Sequence, residues 1–395
     1  EELLLDAVRI RMAADVPLGA FLSGGYDSSL VVALMQAQSS SPVKTFSIGF
    51  QERDYNEAKY ARQVAEHLGT DHTELYIRPD QALEVIPELP RIWDEPFADS
   101  SQIPTYLVSQ LTRQHVTVSL SGDGGDEQFF GYNRYETGKK MGLLYSRIGK
   151  NPRILLGTTL GWLPEKLLNS LAVTFLGREK YPDFGFHVHN LADLIKTGEF
   201  LDFYLHLASH QKKPEKLVIG GVEPRSIFKD PSKLEGIINP ADQMMLLDQL
   251  TYLPDDILTK VDRASMAVSL EAWVPLLDHR VVELSWRIPM AYKYNRGQRK
   301  WILRQVLYRY VPRSLVDRPK TGFGVPLASW LRGPLRDWAE GLLEERKMAL
   351  DGYLDPQPIR KMWKEHLSGE RRWHYYLWDV LMFQAWLEYS ATSDL

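Results

Sequence analysis

A short apolar run, Val16 to Leu22, closes on Ser23-Gly24-Gly25 and passes at once into SLVVALMQAQ, an apolar stretch of helical character. A buried strand that turns through glycines into a helix is the unit from which parallel sheets are built. The unit recurs. Val43 to Phe50 reads as a second strand, Asn56 to Leu68 as a helix stopped by Gly69, and Thr73 to Ile77 as a third strand. Val116 to Leu120 reads as a later strand that runs straight into Ser121-Gly122-Asp123-Gly124-Gly125-Asp126-Glu127. Ahead of them all, Leu3, Leu4, Ala7, Val8 and Met12 recur at helical spacing and predict a helix over 2–14. Residues 1–130 therefore predict a parallel α/β sheet with ligands at the C-terminal ends of its strands.

Beyond Tyr135 the pattern changes. Residues 140–240 carry Leu- and aromatic-rich helical patterns broken by prolines, with no convincing strand, and 241–395 read as mostly helical and rich in tryptophan. Trp330, Trp338, Trp363, Trp373, Trp378 and Trp386 are expected to pack helices together, with no cofactor needed.

Composition excludes several classes. The 395 residues carry 47 basic and 51 acidic side chains, a net charge of −4, without the basic surplus of a protein that lives on nucleic acid. Apolar stretches near 154–163 and 167–176 are interrupted or separated by Gly, Pro and Lys, so no membrane span is expected. With no cysteine, disulfides, thiolate metal sites and cysteine nucleophiles are all excluded from this chain, which suits a cytoplasmic protein. The opening Glu1-Glu2-Leu3 has mid-helix character and suggests a piece of a longer protein.

Two loops carry chemistry. In Ser23 to Ser29 the glycines let backbone approach a phosphate, and the following helix aims N–H groups and its positive dipole end at it. Ser23, Ser28 and Ser29 add hydroxyls. Asp27 beside a polyanion implies an intervening cation, Mg²⁺. The string is not a Walker A loop, and Gly138-Lys139-Lys140 lacks the Ser/Thr that one needs. The second loop, three acids among three glycines, is poor material for core or helix and good material for a face toward metal and substrate. Its spacing does not fit an EF-hand. Read alone, each loop also fits a plain turn, glycine-rich or acidic.

FLSGGYDSS and VSLSGDGGDE, with DEPFADSSQIPTY (94–106) between them, resemble the synthetase half of glutamine-dependent asparagine synthetases. VDRASMAVSLEAWVPLLDH (261–279) and RPKTGFGVP (318–326) follow in that family's order and spacing. The resemblance covers nearly the whole chain, most loosely over 140–240. It implies a parallel sheet flanked by helices, of the adenine nucleotide alpha hydrolase-like, PP-loop ATP pyrophosphatase type, with large helical additions. The implied parts are an ATP-binding α/β core at 1–140, a helical insertion at 141–240, and a helical portion at 241–395 that completes the site.

The implied reaction activates the side-chain carboxylate of aspartate with ATP, as an acyl-AMP with release of pyrophosphate, and amidates it with ammonia. The resemblance places Ser23, Gly24, Gly25, Asp27 and Ser28 on the pyrophosphate and makes Asp27 and Asp126 the Mg²⁺ ligands. Phe21, Ile48, Ser121 and Gly122 fall where the family touches adenosine, largely through backbone. Asp123 matches the acid used in forming the acyl-adenylate, and Lys320 a lysine that stabilises charge on phosphorus. Around Lys320 lie Lys293, Arg296, Arg299, Lys300, Arg304, Arg309, Arg313 and Arg318, and without the motif it would read as one surface lysine among them. Gly322 and Gly324 flank Phe323 in what reads as a closing loop. Gly124, Glu127, Glu271 and Asp278 fall on the acceptor side, although an ion pair with Arg263 or Arg280 explains the last two equally well.

Three positions depart from the family: Trp273 stands where an arginine is common, Phe130 where a glycine is usual, and Tyr26 where an aliphatic residue is usual. The first removes a carboxylate clamp and raises a rival substrate, such as a uronic acid of a surface polysaccharide. An RNA-modifying PP-loop enzyme is a weaker rival, as the chain has neither cysteine nor a basic extension. A serine acyl-enzyme is weaker still, since Lys320-Thr321-Gly322 has no S-D-N companion. No paired-ligand spacing joins the ten histidines; His187 and His189 alternate as on a strand or loop. Family members carry a glutaminase domain at the N-terminus, so this chain is expected to use free ammonia; a homodimer stays open.

Overall fold

The structure is a computed structural model that describes residues 1–50, 56–164, 167–171, 184–197, 199–224, 226–318 and 324–393. The chain forms two compact units. The first contains Glu1–Gly131, Lys213–Gly221 and Gln249–Leu395, and the second Tyr132–Lys212 and Val222–Asp248.

The first unit is built on five parallel strands, β1 (Leu18–Phe21), β2 (Lys44–Phe50), β3 (Asp71–Ile77), β4 (Val118–Leu120) and β5 (Glu271–Trp273), in the order β3-β2-β1-β4-β5. Ala20 pairs with Thr45 on one side and Leu120 on the other, and Leu120 with Trp273. From β1 the chain first builds outward through β2 and β3, then returns to β1's other edge with β4. The direction of winding therefore reverses between β1 and β4, and the loops that leave these two strands open on the same crevice. That is where the two glycine- and acid-rich loops lie.

The four expected strands are present with shifted ends. The fifth is a correction: β5 lies in a stretch read as helical, and its three residues become a strand by pairing with β4. A two-stranded hairpin, Tyr294–Asn295 with Gln298–Arg299, lies in the same stretch.

Helices α1 (Glu2–Met12), α2 (Tyr26–Gln36), α3 (Ala58–Leu68), α4 (Gln102–Arg113), α5 (Thr259–Met266), α6 (His279–Arg287) and α7 (Trp301–Leu307) cover the sheet. Gly69 ends α3 at φ 70, as a left-handed C-cap requires. Strand β1 divides its side chains by the period of two. Ala20 and Leu22 join a cluster with Leu4, Val8, Leu30, Leu34, Val64 and Leu303, beneath α1, α2, α3 and α7. Phe21 packs on the opposite face, where Phe46, Ile48, Ile103, Leu107 and Ala264 meet α4 and α5. Trp330, Trp363 and Trp378 are buried in that second cluster, with Trp338 and Trp373 against it and Trp386 beside Phe383, so the tryptophans do pack helices.

The second unit holds helices at Asn133–Arg147, Lys150–Trp162, Phe184–Lys196 and Phe200–Ala208. His187 and His189 lie on the third of these and not on a strand or loop. A polar knot sits inside the unit: Tyr135 and Tyr204 donate hydroxyls to Asp248 Oδ2 at 2.6 and 2.7 Å, and Arg134 pairs with it at 2.7 Å. Buried charge of this kind is tolerated because its partners replace the lost water. Among the described residues, no helix is long and apolar enough to cross a membrane.

Candidate functional site

The first loop leaves β1 and ends at Gly25, the N-cap of α2. With no side chain at the cap, the first-turn N–H groups of α2 are left to an anion together with the helix dipole. Ser23 and Ser28 hold the loop together, their hydroxyls 3.0 Å apart and the Ser28 hydroxyl accepting from the Ser23 N–H at 3.2 Å. Asp27 is carried in the first turn of α2.

The second loop leaves β4 and is tied to the neighbouring strand, the Ser121 N–H donating to the Trp273 carbonyl at 2.8 Å. Ser121 donates its hydroxyl to Asp123 Oδ2 at 2.5 Å, and the Asp123 N–H donates back to that hydroxyl oxygen at 3.2 Å. Burial pushes the Asp123 carboxyl above its usual range, against the Ser121 hydrogen bond and the fields of Lys260 and Lys300. Gly122 is where the two loops touch. A Cβ there would stand 2.6 Å from the Ser28 nitrogen and 2.8 Å from the Asp27 carbonyl carbon, so only glycine allows the approach. Gly124 begins the turn Gly125–Gln128 that carries Asp126 and the buried Glu127, whose carbonyl accepts from Gln249 at 3.1 Å.

Asp27 and Asp126 converge on one cation, and that cation is a side chain of this protein. The Lys300 ammonium is 2.7 Å from Asp126 Oδ1 and pairs with Asp27 Oδ2. Burial alone would lower the Lys300 pKa, but the fields of Asp126 and Asp27 outweigh it and hold the ammonium far above the usual lysine range. Lys300 is the N-cap of α7 at φ 52, a left-handed conformation that costs a residue with a Cβ about 1–3 kcal/mol and that clusters at functional sites. Among the described residues no group of three or more His, Cys, Asp or Glu side chains could hold a metal. Two carboxylates meeting at one point would suit Mg²⁺, a hard cation that proteins hold through one or two carboxylates.

A second charged cluster lies near Asp123. Lys260 on α5 pairs with Asp99 Oδ2 at 2.5 Å and with Asp256 at 3.6 Å, while Ser101 donates its N–H and hydroxyl to Asp99 at 2.9 and 2.7 Å. Arg318 stacks 3.8 Å over Tyr60 and donates to the carbonyls of Ser23 and Gly24, both at 3.3 Å. It thereby anchors the chain entering 319–323 on the first loop. Lys320, Gly322 and Phe323 lie outside the described residues.

Of the expected residues, the structure brings together Ser23, Gly25, Asp27, Ser28, Ser121, Gly122, Asp123 and Asp126. Ile48 is buried in β2, two residues before its end, and Phe21 is partly buried at the last position of β1. Glu271 and Asp278 are engaged elsewhere. Glu271 accepts from the Trp273 indole at 3.1 Å, and Asp278 caps α6 while pairing with Arg11 and Arg280 at 3.1 and 2.9 Å. Those arginines hold the Asp278 carboxyl far below its usual range, the hydrogen bond from Arg280 foremost.

The three departures have local explanations. Trp273 packs against the cluster beneath α1 and α2. Phe130 sits at φ 59, which explains why glycine is usual there; its buried ring, 5.1 Å from Tyr294, offsets the strain. Tyr26 donates its phenol to Asp317 at 3.0 Å under the Arg304 guanidinium. Sequence reasoning passed over Lys300, Lys260 and Asp99. Lys300 was one of many cations in a basic stretch, and its partners are distant in sequence.

Compared with known proteins, residues 1–388 match the family described as asparagine synthase. "Asparagine synthetase [glutamine-hydrolyzing] 1" of Bacillus subtilis is 29% identical over 390 residues, which are 97% of this chain and 58% of that protein. A putative asparagine synthetase [glutamine-hydrolyzing] of Mycobacterium bovis is 32% identical over 99% of this chain and 58% of its own length. A third relative, "Putative asparagine synthetase [glutamine-hydrolyzing] 2" of Methanocaldococcus jannaschii, is 38% identical over 67% of this chain and 48% of its own. The chain thus spans about half the length of these relatives, from 48% to 58%. With a match running from the first residue to residue 388, the chain belongs to the asparagine synthase family.

Proposed function

We propose that this chain is an ATP-dependent amide-forming ligase that converts aspartate to asparagine, with AMP and pyrophosphate as the other products. The observation that carries the reading is the convergence of Asp27 and Asp126, from loops at the ends of β1 and β4, beside the anion-binding start of α2. Ser23, Ser28 and the first-turn N–H groups of α2 receive the pyrophosphate portion of ATP. Backbone at Phe21, Ile48, Ser121 and Gly122 takes the adenosine. Asp27 and Asp126 would hold Mg²⁺, which supplies neutralising charge to the phosphates when bound.

In the first step a carboxylate oxygen of the acid forms a bond to the α-phosphorus, and the bond to the pyrophosphate oxygen breaks. Lys320 serves that step as a cation for the charge that develops on phosphorus, a contribution of about 3–4 kcal/mol by analogy with one oxyanion donor. In the second step ammonia bonds to the acyl carbon and AMP leaves with its oxygen. Asp123 is suited to take the proton ammonia sheds, because burial raises its affinity for protons. Gly124 and Glu127 sit on the acceptor side of this loop, and Glu271 and Asp278 act as supports for β5 and α6.

Ammonia is the amine this stretch can use by itself, since it contains no cysteine. In the longer relatives a glutaminase portion is the proposed partner, and a nucleotide-consuming ligase of this type is proposed to work in the cytoplasm. Aspartate ranks above a uronic acid because Trp273 packs beneath α1 and α2, so its replacement of arginine reads as a packing change. The test is pyrophosphate release with ATP, ammonia and a panel of acids, alongside ATP–pyrophosphate exchange. Aspartate should give product, and Asp27→Asn or Asp126→Asn should abolish exchange. Full exchange in both variants sinks the mechanism; a sugar acid turning over where aspartate does not sinks the substrate.

A further inference from the structure

The Lys300 ammonium stands at the point on which Asp27 and Asp126 converge. The arrangement is built for it. Its backbone takes a left-handed conformation, the kind of strain that clusters at functional sites, and its side chain is 6% exposed. Gly131 clears its path, since a Cβ there would overlap both the Asp126 carboxylate and the Lys300 side chain. Two carboxylates that face each other away from water require a cation between them. A lysine ammonium and a divalent metal compete for the same oxygens, so only one of them holds that point at a time.

We propose that Lys300 is the resident counter-ion of this site, and that a divalent metal reaches Asp27 and Asp126 only by displacing its ammonium. The proposal rests on reading the two loops as a nucleotide site. Free metal arriving alone would shed water reluctantly and leave Lys300 buried without an anion. Metal carried on a polyphosphate arrives largely neutralised, and the surplus phosphate charge receives the ammonium that moves aside. The site therefore excludes free metal and admits metal with nucleotide. Lys300 acts as a positioning residue that orders the two.

The test uses Mn²⁺, whose paramagnetism reports binding directly. Without nucleotide, the whole chain should bind Mn²⁺ weakly and melt at the same temperature with or without it. Lys300→Gln should bind Mn²⁺ at least about tenfold more tightly, and its melting temperature should rise when Mn²⁺ is added. No gain of affinity in Lys300→Gln, or wild-type binding as tight as the variant's, overturns the proposal. If Lys300→Gln does not fold, the wild type still decides by ¹⁵N-lysine resonance of the ammonium, assigned with Lys300→Arg. That signal should persist with Mg²⁺ alone and move when Mg²⁺ and α,β-methylene-ATP are added together. A signal displaced by Mg²⁺ alone, or unmoved by both together, refutes it. The functional reading is judged separately: absent ATP–pyrophosphate exchange with the expected Mn²⁺ result removes that reading and leaves the counter-ion assignment standing.

Discussion

The ammonium of Lys260 lies 2.5 Å from Asp99 Oδ2, joining α5 to the segment ahead of α4 across 161 positions of chain. The pair is largely shielded from water, Lys260 by 90% and Asp99 by 79% of their side-chain surfaces. Burial would raise the Asp99 pKa, but Lys260 and the Ser101 hydrogen bonds outweigh it and hold the carboxyl far below its usual range. Removing one partner leaves the other charge poorly compensated, so Asp99→Asn should cost about 3 kcal/mol in urea unfolding, the low end for a buried pair because Asp99 keeps some exposure. Lys260→Met should cost a similar amount, and the double variant less than the sum, because one deletion already breaks the pair. Strict additivity would show that the two do not interact.

Tyr26 ties the start of α2 to Asp317, and the next residue, Arg318, donates to the carbonyls of the first loop. Tyr26→Phe deletes one hydrogen bond to a charged group and should lower stability by about 1–2 kcal/mol. Because the loop and the chain entering 319–323 lose a shared anchor, KM for ATP should rise several-fold. An unchanged KM would show that the anchor serves packing alone.

Gly131→Ala should be far more harmful than its size suggests. The added methyl overlaps Asp126 and Lys300, and both are held by each other and by the sheet. Overpacking of this kind costs about 1–3 kcal/mol, and exchange of pyrophosphate into ATP should fall by two orders of magnitude or more. Near-normal exchange would mean that the carboxylates tolerate displacement.

His366 is fully buried, and burial, aided by Arg332 and His374, lowers its pKa from 6.5 to about 4. The folded protein keeps the ring neutral while the unfolded chain protonates it below about 6.5. The His366 contribution is therefore complete above pH 6.5 and is lost as pH falls through about 4. Urea midpoints should decline over that window, and His366→Gln should flatten the decline. Equal slopes for both proteins would assign the acid sensitivity to other groups.

Much of the sheet was legible because β1 and β4 are apolar runs ended by glycine- and acid-rich loops, while β2 and β3 carry β-branched and aromatic residues. Strand β5 was not, since Glu271-Ala272-Trp273 carries no alternating pattern and extends only because β4 offers it an edge. At the site, the glycines and acids of the two loops announced themselves by their density. Lys300 and Lys260 did not, because a lysine's sequence surroundings do not reveal whether its ammonium meets water or two carboxylates. Asp278 was legible only in part: its ion pair with Arg280 was among the sequence alternatives, whereas Arg11 is 267 positions away.

By itself the sequence determined where the chain must turn tightly, where anions can approach backbone, and that Asp27 beside such a loop demands a cation. These follow from forces that act within a few residues: missing Cβ atoms, helix ends and adjacent charge. The tertiary structure decided which cation meets which acid. Reversal of winding between β1 and β4 sets Asp126 against Asp27, and the fold brings the ammonium of Lys300, 273 positions beyond Asp27, to both. Coulomb energy depends on distance in space, which only the folded chain sets.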